Sequence, residues 1–157
     1  MNAQLASAEQ PAAVAAESAR RQIVTFRVGA ESYGIGIQSV REIRAWSPAT
    51  ALPEAPDFVR GVINLRGQMV PILDLRARFG QGETEATPTH VVIVVAVGAR
   101  TVGVLVDAVS DIVSIADQDI KPVPEIGGWT ATAYLQGLAA VGEAMVALVG
   151  VERLAGR

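Results

Sequence analysis

Short apolar runs alternate with glycine, proline and polar breaks along most of the chain. The runs cover residues 23–28, 33–37, 62–65, 69–73, 91–97, 102–106 and 145–149. They are brief and rich in Val and Ile, and they are bounded by turn residues, which predicts strands and an all-β domain. Three stretches predict short helical turns. Residues 37–43 place Ile37, Val40 and Ile43 close to one helical face. Residues 74–79 end at Gly80, a natural C-terminal cap. Residues 151–154 form the third. Pro71 lies inside the run 69–73 and predicts an edge strand or a bulge, because proline donates nothing to a ladder. The polar stretch 81–89 is the best linker. Residues 1–21 are Ala-rich and end in Arg20-Arg21. They read as an arm, helical at most from Ala12, with 22–157 as the domain. Glu9, Pro11 and Glu17 stand where a signal peptide needs an apolar core.

The chain repeats itself. A shift of 69 residues lays Val28-Gly29-Ala30 on Val97-Gly98-Ala99 and Gly34 on Gly103. It also lays Val40, Glu42 and Ile43 on Val109, Asp111 and Ile112, and Pro53 on Pro122. A shift of 76 then pairs Phe58 with Tyr134, Gly61 with Gly137 and Met69-Val70 with Met145-Val146, as if seven residues were inserted near 125–132. Apolar types align easily by chance, but glycines, a proline and an acidic residue in one order do not. Two related halves follow, roughly 22–80 and 90–154. Each has about five short strands and is too small to bury a good core alone. Small barrels suit such halves because closure protects strand edges.

Composition narrows the chemistry. Of 157 residues, 50% are apolar and 18% charged, so the chain is long and apolar enough to build a core. No apolar run reaches membrane-spanning length, which predicts no membrane insertion. Cysteine is absent, so thiolate metal sites and cysteine nucleophiles are excluded. The lone lysine, Lys121, precedes a proline, which rules out a phosphate-binding loop ending in Gly-Lys. The lone histidine, His90, cannot anchor a zinc site and opens an apolar run, where a surface role is the ordinary one. Carboxylate pairs such as Asp107/Asp111 and Asp117/Asp119 exist, but nothing singles them out for hydrolysis. A net charge of −3 and 4% aromatics argue against a nucleic-acid groove. No cofactor is expected, and catalytic parts are scarce.

A duplicated scaffold is its own control. Asn64-Leu65-Arg66-Gly67 falls on Ala140-Val141-Gly142-Glu143, so the first half places Asn and Arg where the second has Ala and Gly. Gly67 fits a hairpin needing positive φ. Arg66 then projects from a turn, either as a solvated side chain or as an interface residue whose planar fork suits carboxylates. Glu42 is a candidate partner. Charge is uneven too: residues 41–78 sum to +2 and residues 101–157 to −4. Two solvated faces, or a dipolar module with different partners at its ends, fit that split.

These residues resemble a known family. Tyr33-Gly34-Ile35 and Val40-Arg41-Glu42-Ile43, then the run from Phe58 through Asn64-Leu65-Arg66-Gly67, then Val70-Pro71-Ile72-Leu73-Asp74-Leu75-Arg76, are similar to the CheW family of chemotaxis coupling proteins. Val102-Gly103-Val104, Val109-Ser110-Asp111 and Tyr134-Leu135-Gln136-Gly137 fit as well. The resemblance runs from about residue 23 to 154.

It implies two intertwined five-stranded SH3-like barrels, with no catalytic activity. It implies a cytoplasmic adaptor at membrane-associated arrays. There it would join the cytoplasmic tip of methyl-accepting chemotaxis receptors to the regulatory domain of the histidine kinase CheA. In the family, positions matching Val40, Glu42, Gly61 and Arg66 are associated with receptor coupling. The receptor site expected here adds Ile37, Asn64, Leu65 and Gly67 beside them, with Val106 and Val109 on the opposite wall of a groove between the halves. An adaptor for surface motility or another non-flagellar output is the alternative within the family. An enzyme relying on His90 and a nucleic-acid-binding barrel are the alternatives outside it.

Overall fold

The computed structural model describes residues 19–124 and 133–155, and its strands take up every apolar run predicted above. In order they are β1 (Arg20–Val28), β2 (Glu31–Gly36), β3 (Val40–Ala45), β4 (Val59–Leu65) and β5 (Gln68–Asp74), then β6 (Val91–Val97), β7 (Arg100–Val106), β8 (Ala108–Ala116), β9 (Leu135–Val141) and β10 (Ala144–Val149). Short helices follow β5 and β10: α1 (Leu75–Arg78) and α2 (Val151–Ala155).

The strands form two five-stranded sheets, ordered β3-β6-β7-β5-β4 and β8-β1-β2-β10-β9. The repeat maps β1–β5 onto β6–β10, and under that mapping the two orders are the same. Each sheet therefore takes three strands from one half and a hairpin from the other, so the halves are intertwined. Even the isolated bridges match: Thr50 pairs with Val62 in one sheet, and Lys121 with Leu138 in the other. In the first barrel, built on β3-β6-β7-β5-β4, the bridge brings the segment after β3 onto edge strand β4. The second barrel, built on β8-β1-β2-β10-β9, is closed in the same way.

This arrangement explains why the strongest apolar run has no alternation. Along β6, Val92 and Val94 fill the inside of the first barrel, while Ile93 and Val95 face a central core shared by the barrels. A strand buried on both faces reads as continuous Val and Ile. The central core takes Phe26, Val28, Tyr33 and Ile35 from one sheet and Leu73, Ile93, Val95 and Val104 from the other. A smaller cluster of Ile23, Ile115, Ala139, Val146 and Leu148 fills the second barrel. Each fully buried Val, Leu, Ile or Phe contributes roughly 1.5–3 kcal/mol.

Several expectations change. The helical turn over 37–43 shrinks to a 3-10 turn at Ile37–Ser39, and Val40 to Ala45 become edge strand β3. Laddering to β6 outweighs the weak 3.6-residue spacing, and charges on Arg41, Glu42 and Arg44 blunt the edge. Pro71 is not on an edge, because β5 lies between β4 and β7. It is tolerated because the parallel ladder to β7 begins one residue later, at Ile72. The arm ends sooner than predicted. Arg20 and Arg21 already pair with Ala116 and Ile115 in the sheet, and Arg21 Nε sits 2.8 Å from Asp117. The remainder of that arm, and the predicted insertion near 125–132, lie outside the described residues. The linker 81–89 is not a free loop, since Thr84 is buried. Its N–H and hydroxyl donate to the carboxylate of Asp74 at 2.7 and 2.6 Å.

The two halves are clasped by Arg78. Its guanidinium lies 3.9 Å from the ring centroid of Phe58 and 4.8 Å from that of Tyr134, a pair of residues equated by the repeat. Its Nε donates to the carbonyl of Leu154, the residue the repeat sets against Arg78 itself. One buried cation thus ties both halves. Arg78→Ala is expected to cost about 3–5 kcal/mol through lost ring contacts, lost hydrogen bonds and a cavity. Chemical denaturation checks this; a loss under about 1 kcal/mol would show that the clasp contributes little.

Candidate functional site

The hairpin between β4 and β5 turns on two residues, Arg66 and Gly67, and both have positive φ, +51° and +87°. Two left-handed residues in a two-residue loop match the twist of a hairpin, but they favour Gly, Asn or Asp. Arginine is out of place here. The second half makes the point, because the position equivalent to Arg66 is Gly142, with φ +59°. A side chain in this conformation costs about 1–2 kcal/mol. The first half carries that strain and presents an arginine side chain that is 74% exposed.

Neighbours hold the guanidinium in place. Arg66 Nη2 donates to Glu42 Oε1 at 2.7 Å, and Asn64 Oδ1 accepts from the Gly67 N–H at 2.7 Å. Glu42 lies on β3 and Arg66 at the end of β4, so the pair crosses the two open edges of the first sheet. Arg44 Nη1 stands 3.8 Å from the other Glu42 oxygen. The suspected Glu42–Arg66 partnership is therefore present.

The hydrogen bond from Arg66 holds the Glu42 carboxyl below its ordinary range; burial opposes this, and the charges of Arg66 and Arg44 add to it. A depressed acid stabilises the fold fully above its unfolded pKa, about 4.3, and that contribution fades as pH falls through the lower folded value. An NMR titration of the Glu42 carboxyl carbon is expected to show an upward-shifted midpoint in Arg66→Ala. An unchanged midpoint would mean the contact does not persist in solution.

The other expected site residues divide. Ile37 and Val40 are half-buried at the entry to β3, and Val40 packs on the central core. Val109, its equivalent on β8, is also half-buried against that core. Leu65 is 7% exposed and fills the first barrel beneath the turn, so it supports the turn from below and does not form its surface. Val106 is a correction. It is 1% exposed inside the central core and offers no wall to a groove.

Gly61 is also a correction. It is buried with φ +140°, at a register shift in β4, and a Cβ there would run into the backbone carbonyl of Thr50. Its repeat partner Gly137 is crowded too: a Cβ there would stand 2.6 Å from the Ile120 side chain and 3.1 Å from the Lys121 oxygen. Both glycines let the incoming segment lie on the barrel edge. Gly61 thus shapes the edge of the first barrel.

Sequence reading missed two features around this corner. Apart from Leu52, the exposed large apolar side chains among the described residues come in repeat-related pairs: Ile43 with Ile112, and Met69 with Met145. Ile43 follows Glu42 on β3 but shares the sheet face of its pairing partner Ile93, whereas Glu42 shares that of Val94; Met69 lies on β5 just past the turn, on the face opposite Val70. Arg60 lies 5.6 Å from the Trp46 ring and donates to the Thr84 carbonyl. The repeat equates Ile43 with Ile112 and Met69 with Met145, but exposure cannot be read from a sequence.

His90 is tied into its own loop. Its Nδ1 already accepts from the Thr87 backbone N–H at 3.1 Å, and Nε2 stands 3.5 Å from Asp107. A ring nitrogen spent on a backbone donor closes a loop. Among the described residues, no cluster of His, Cys, Asp or Glu is arranged to hold a metal, and no helix is long and apolar enough to cross a membrane.

Comparison with known proteins agrees with this geometry. The family model for the CheW-like domain matches residues 22–157. The chain is 46% identical over 132 residues to the chemotaxis protein CheW of Rhizobium meliloti, covering 84% of this chain and 85% of that one. It is 45% identical over 134 residues to the probable chemotaxis protein CheW of Rhizobium etli, covering 85% and 86%. Protein FrzA of Myxococcus xanthus is 33% identical over 118 residues, covering 75% and 73%. The crystal structure of the scaffolding protein TtCheW from Thermoanaerobacter tengcongensis superposes with a TM-score of 0.79 at 33% identity, covering 85% of this chain and 91% of that one. With two intertwined barrels and a strained, anchored arginine at one corner, this chain belongs to the CheW-like family of chemotaxis coupling adaptors.

Proposed function

We propose that the chain bridges the cytoplasmic tip of methyl-accepting chemotaxis receptors to the regulatory domain of the kinase CheA, and does so without catalysis. The observation that carries the receptor half of this reading is Arg66. A fold does not keep a side chain in a glycine slot, 74% exposed and fixed by Glu42, without a use for it. The corner around it has the make-up of an interaction centre: an oriented guanidinium with an adjacent carboxylate. A helical hairpin laid on this corner gains polar registration from Arg66. Other faces serve the kinase, so one molecule holds both partners near each other in the cytoplasm, at membrane-associated arrays. Kinase output then follows from the relative strength of the two sets of contacts.

The match to FrzA, which carries another name than the chemotaxis relatives, favours a second reading: the same adaptor in a non-flagellar pathway. Affinity capture of a tagged chain from its native cell tests both. Recovery of receptors together with a CheA-type kinase is expected, and the identity of the receptors decides the pathway. Recovery of neither contradicts the proposal.

A further inference from the structure

The two repeat-related hairpins, β4–β5 and β9–β10, match up to their turns and differ within them. Leu65 pairs with Gln68 in the first and Val141 with Ala144 in the second, so each loop holds two residues. In the first, Arg66 and Gly67 both have positive φ. In the second, Gly142 has positive φ and Glu143 does not. The first pattern is that of a type I′ turn, the second that of a type II′ turn. The difference decides what can stand first in the loop. A type II′ turn calls for glycine there. In a type I′ turn that place lies in the left-handed helical region, which a residue with a side chain can enter at a modest cost. An arginine at this corner therefore requires the type I′ form.

Asn64 supplies that form. Its Oδ1 accepts from the Gly67 N–H at 2.7 Å, a bond that spans Arg66 and fixes the peptide after it. Ala140, the repeat equivalent of Asn64, has no side-chain acceptor to offer the N–H of Glu143. Asn therefore accompanies Arg in the first half, and Ala accompanies Gly in the second. Gly67 completes the set. A Cβ there would meet nothing within 4 Å, so this glycine serves the positive φ and not a lack of room. Packing does not impose the turn, since Asn64, Arg66, Gly67 and Gln68 are all exposed. Arg66 is held at both ends: Glu42 takes its guanidinium, and Asn64 fixes the backbone from which its side chain starts.

We propose that Asn64 is a positioning residue for Arg66. It selects the turn that can carry an arginine, sets the direction of the guanidinium, and makes no contact with the receptor itself. This rests on the reading of Arg66 as a receptor contact.

The test uses the full chain, isotope-labelled, at neutral pH, with Asn64→Ala and Asn64→Asp beside the parent. Asn64→Ala is expected to speed hydrogen exchange of the Gly67 amide and to move the Arg66 HN–Hα coupling away from its left-handed value. It is also expected to weaken binding of a receptor-tip fragment about five- to tenfold, the effect of losing one hydrogen bond. Asn64→Asp keeps the acceptor and is expected to bring exchange, coupling and binding back to near the parent. In an Arg66→Gly background, Asn64→Ala is expected to cost no further binding, because no guanidinium is left to aim. Three results would overturn the proposal: unchanged Gly67 exchange and Arg66 coupling in Asn64→Ala, failure of Asn64→Asp to restore them, or a further binding loss in the Arg66→Gly background, which would make Asn64 a contact. A receptor fragment that binds the parent and Arg66→Gly alike would sink the receptor reading instead, while exchange and coupling still decide what Asn64 does to the turn.

Discussion

Arg66→Gly is expected to bind receptor roughly thirtyfold more weakly than the parent, yet to unfold at nearly the same temperature. The binding loss is that of an oriented interface arginine, about 2 kcal/mol. The stability result follows from opposing terms. Glycine relieves a left-handed side chain, worth about 1–2 kcal/mol, as Gly142 does at the equivalent turn. It adds back unfolded-chain entropy of roughly 0.5–1 kcal/mol and loses a solvent-screened ion pair that adds little. The sum lies within about 1 kcal/mol of zero. Arg66→Ala is the control. It loses the same ion pair without relieving the backbone, so it is the less stable of the two by about 1 kcal/mol while binding as poorly. Calorimetry and receptor-fragment binding on both variants check this. Full receptor binding by Arg66→Gly would mean the arginine serves some other purpose.

Gly61→Ala is expected to lose receptor binding by another route. A Cβ meets the Thr50 carbonyl at φ +140°, where no relaxation of a flexible side chain helps. Strain and overpacking together cost about 3–5 kcal/mol, or roughly 10 °C in Tm for a domain of this size. Gly137→Ala has a moveable Ile120 side chain as its closest neighbour and costs about 1–2 kcal/mol. The two glycines look alike in the repeat, so their unequal cost tests the geometry directly. A Gly61→Ala protein with parental Tm and poor receptor binding would return Gly61 to the contact surface.

Much of this was legible before any coordinates. The repeat predicted two halves, and its shifts of 69 and 76 place every strand of the first half on a strand of the second. The turn at Arg66-Gly67 and the Glu42 partnership were both readable, the first from Gly67 and the second as a guess from charge. What escaped was long-range. Strand β3 read as a helical turn because an edge strand carries charges and little apolar alternation. Val106 read as groove lining because a β-branched residue at a strand end gives no sign of which core it faces. Gly61 came in only through the family resemblance; its structural reason was hidden because the Thr50 segment that crowds it is eleven residues away in sequence and meets it only when the barrel closes. Arg78 drew no notice, although it binds the halves together, since nothing local marks a cation that stacks between Phe58 and Tyr134.

The coupling claim is tested most directly by sedimenting receptor fragments, the CheA-type kinase and this protein together, and measuring kinase phosphorylation in the same sample. The account predicts that all three pellet as one complex and that kinase activity comes under receptor control only when this chain is present. Receptor-controlled kinase activity that is equally strong without it would contradict the account.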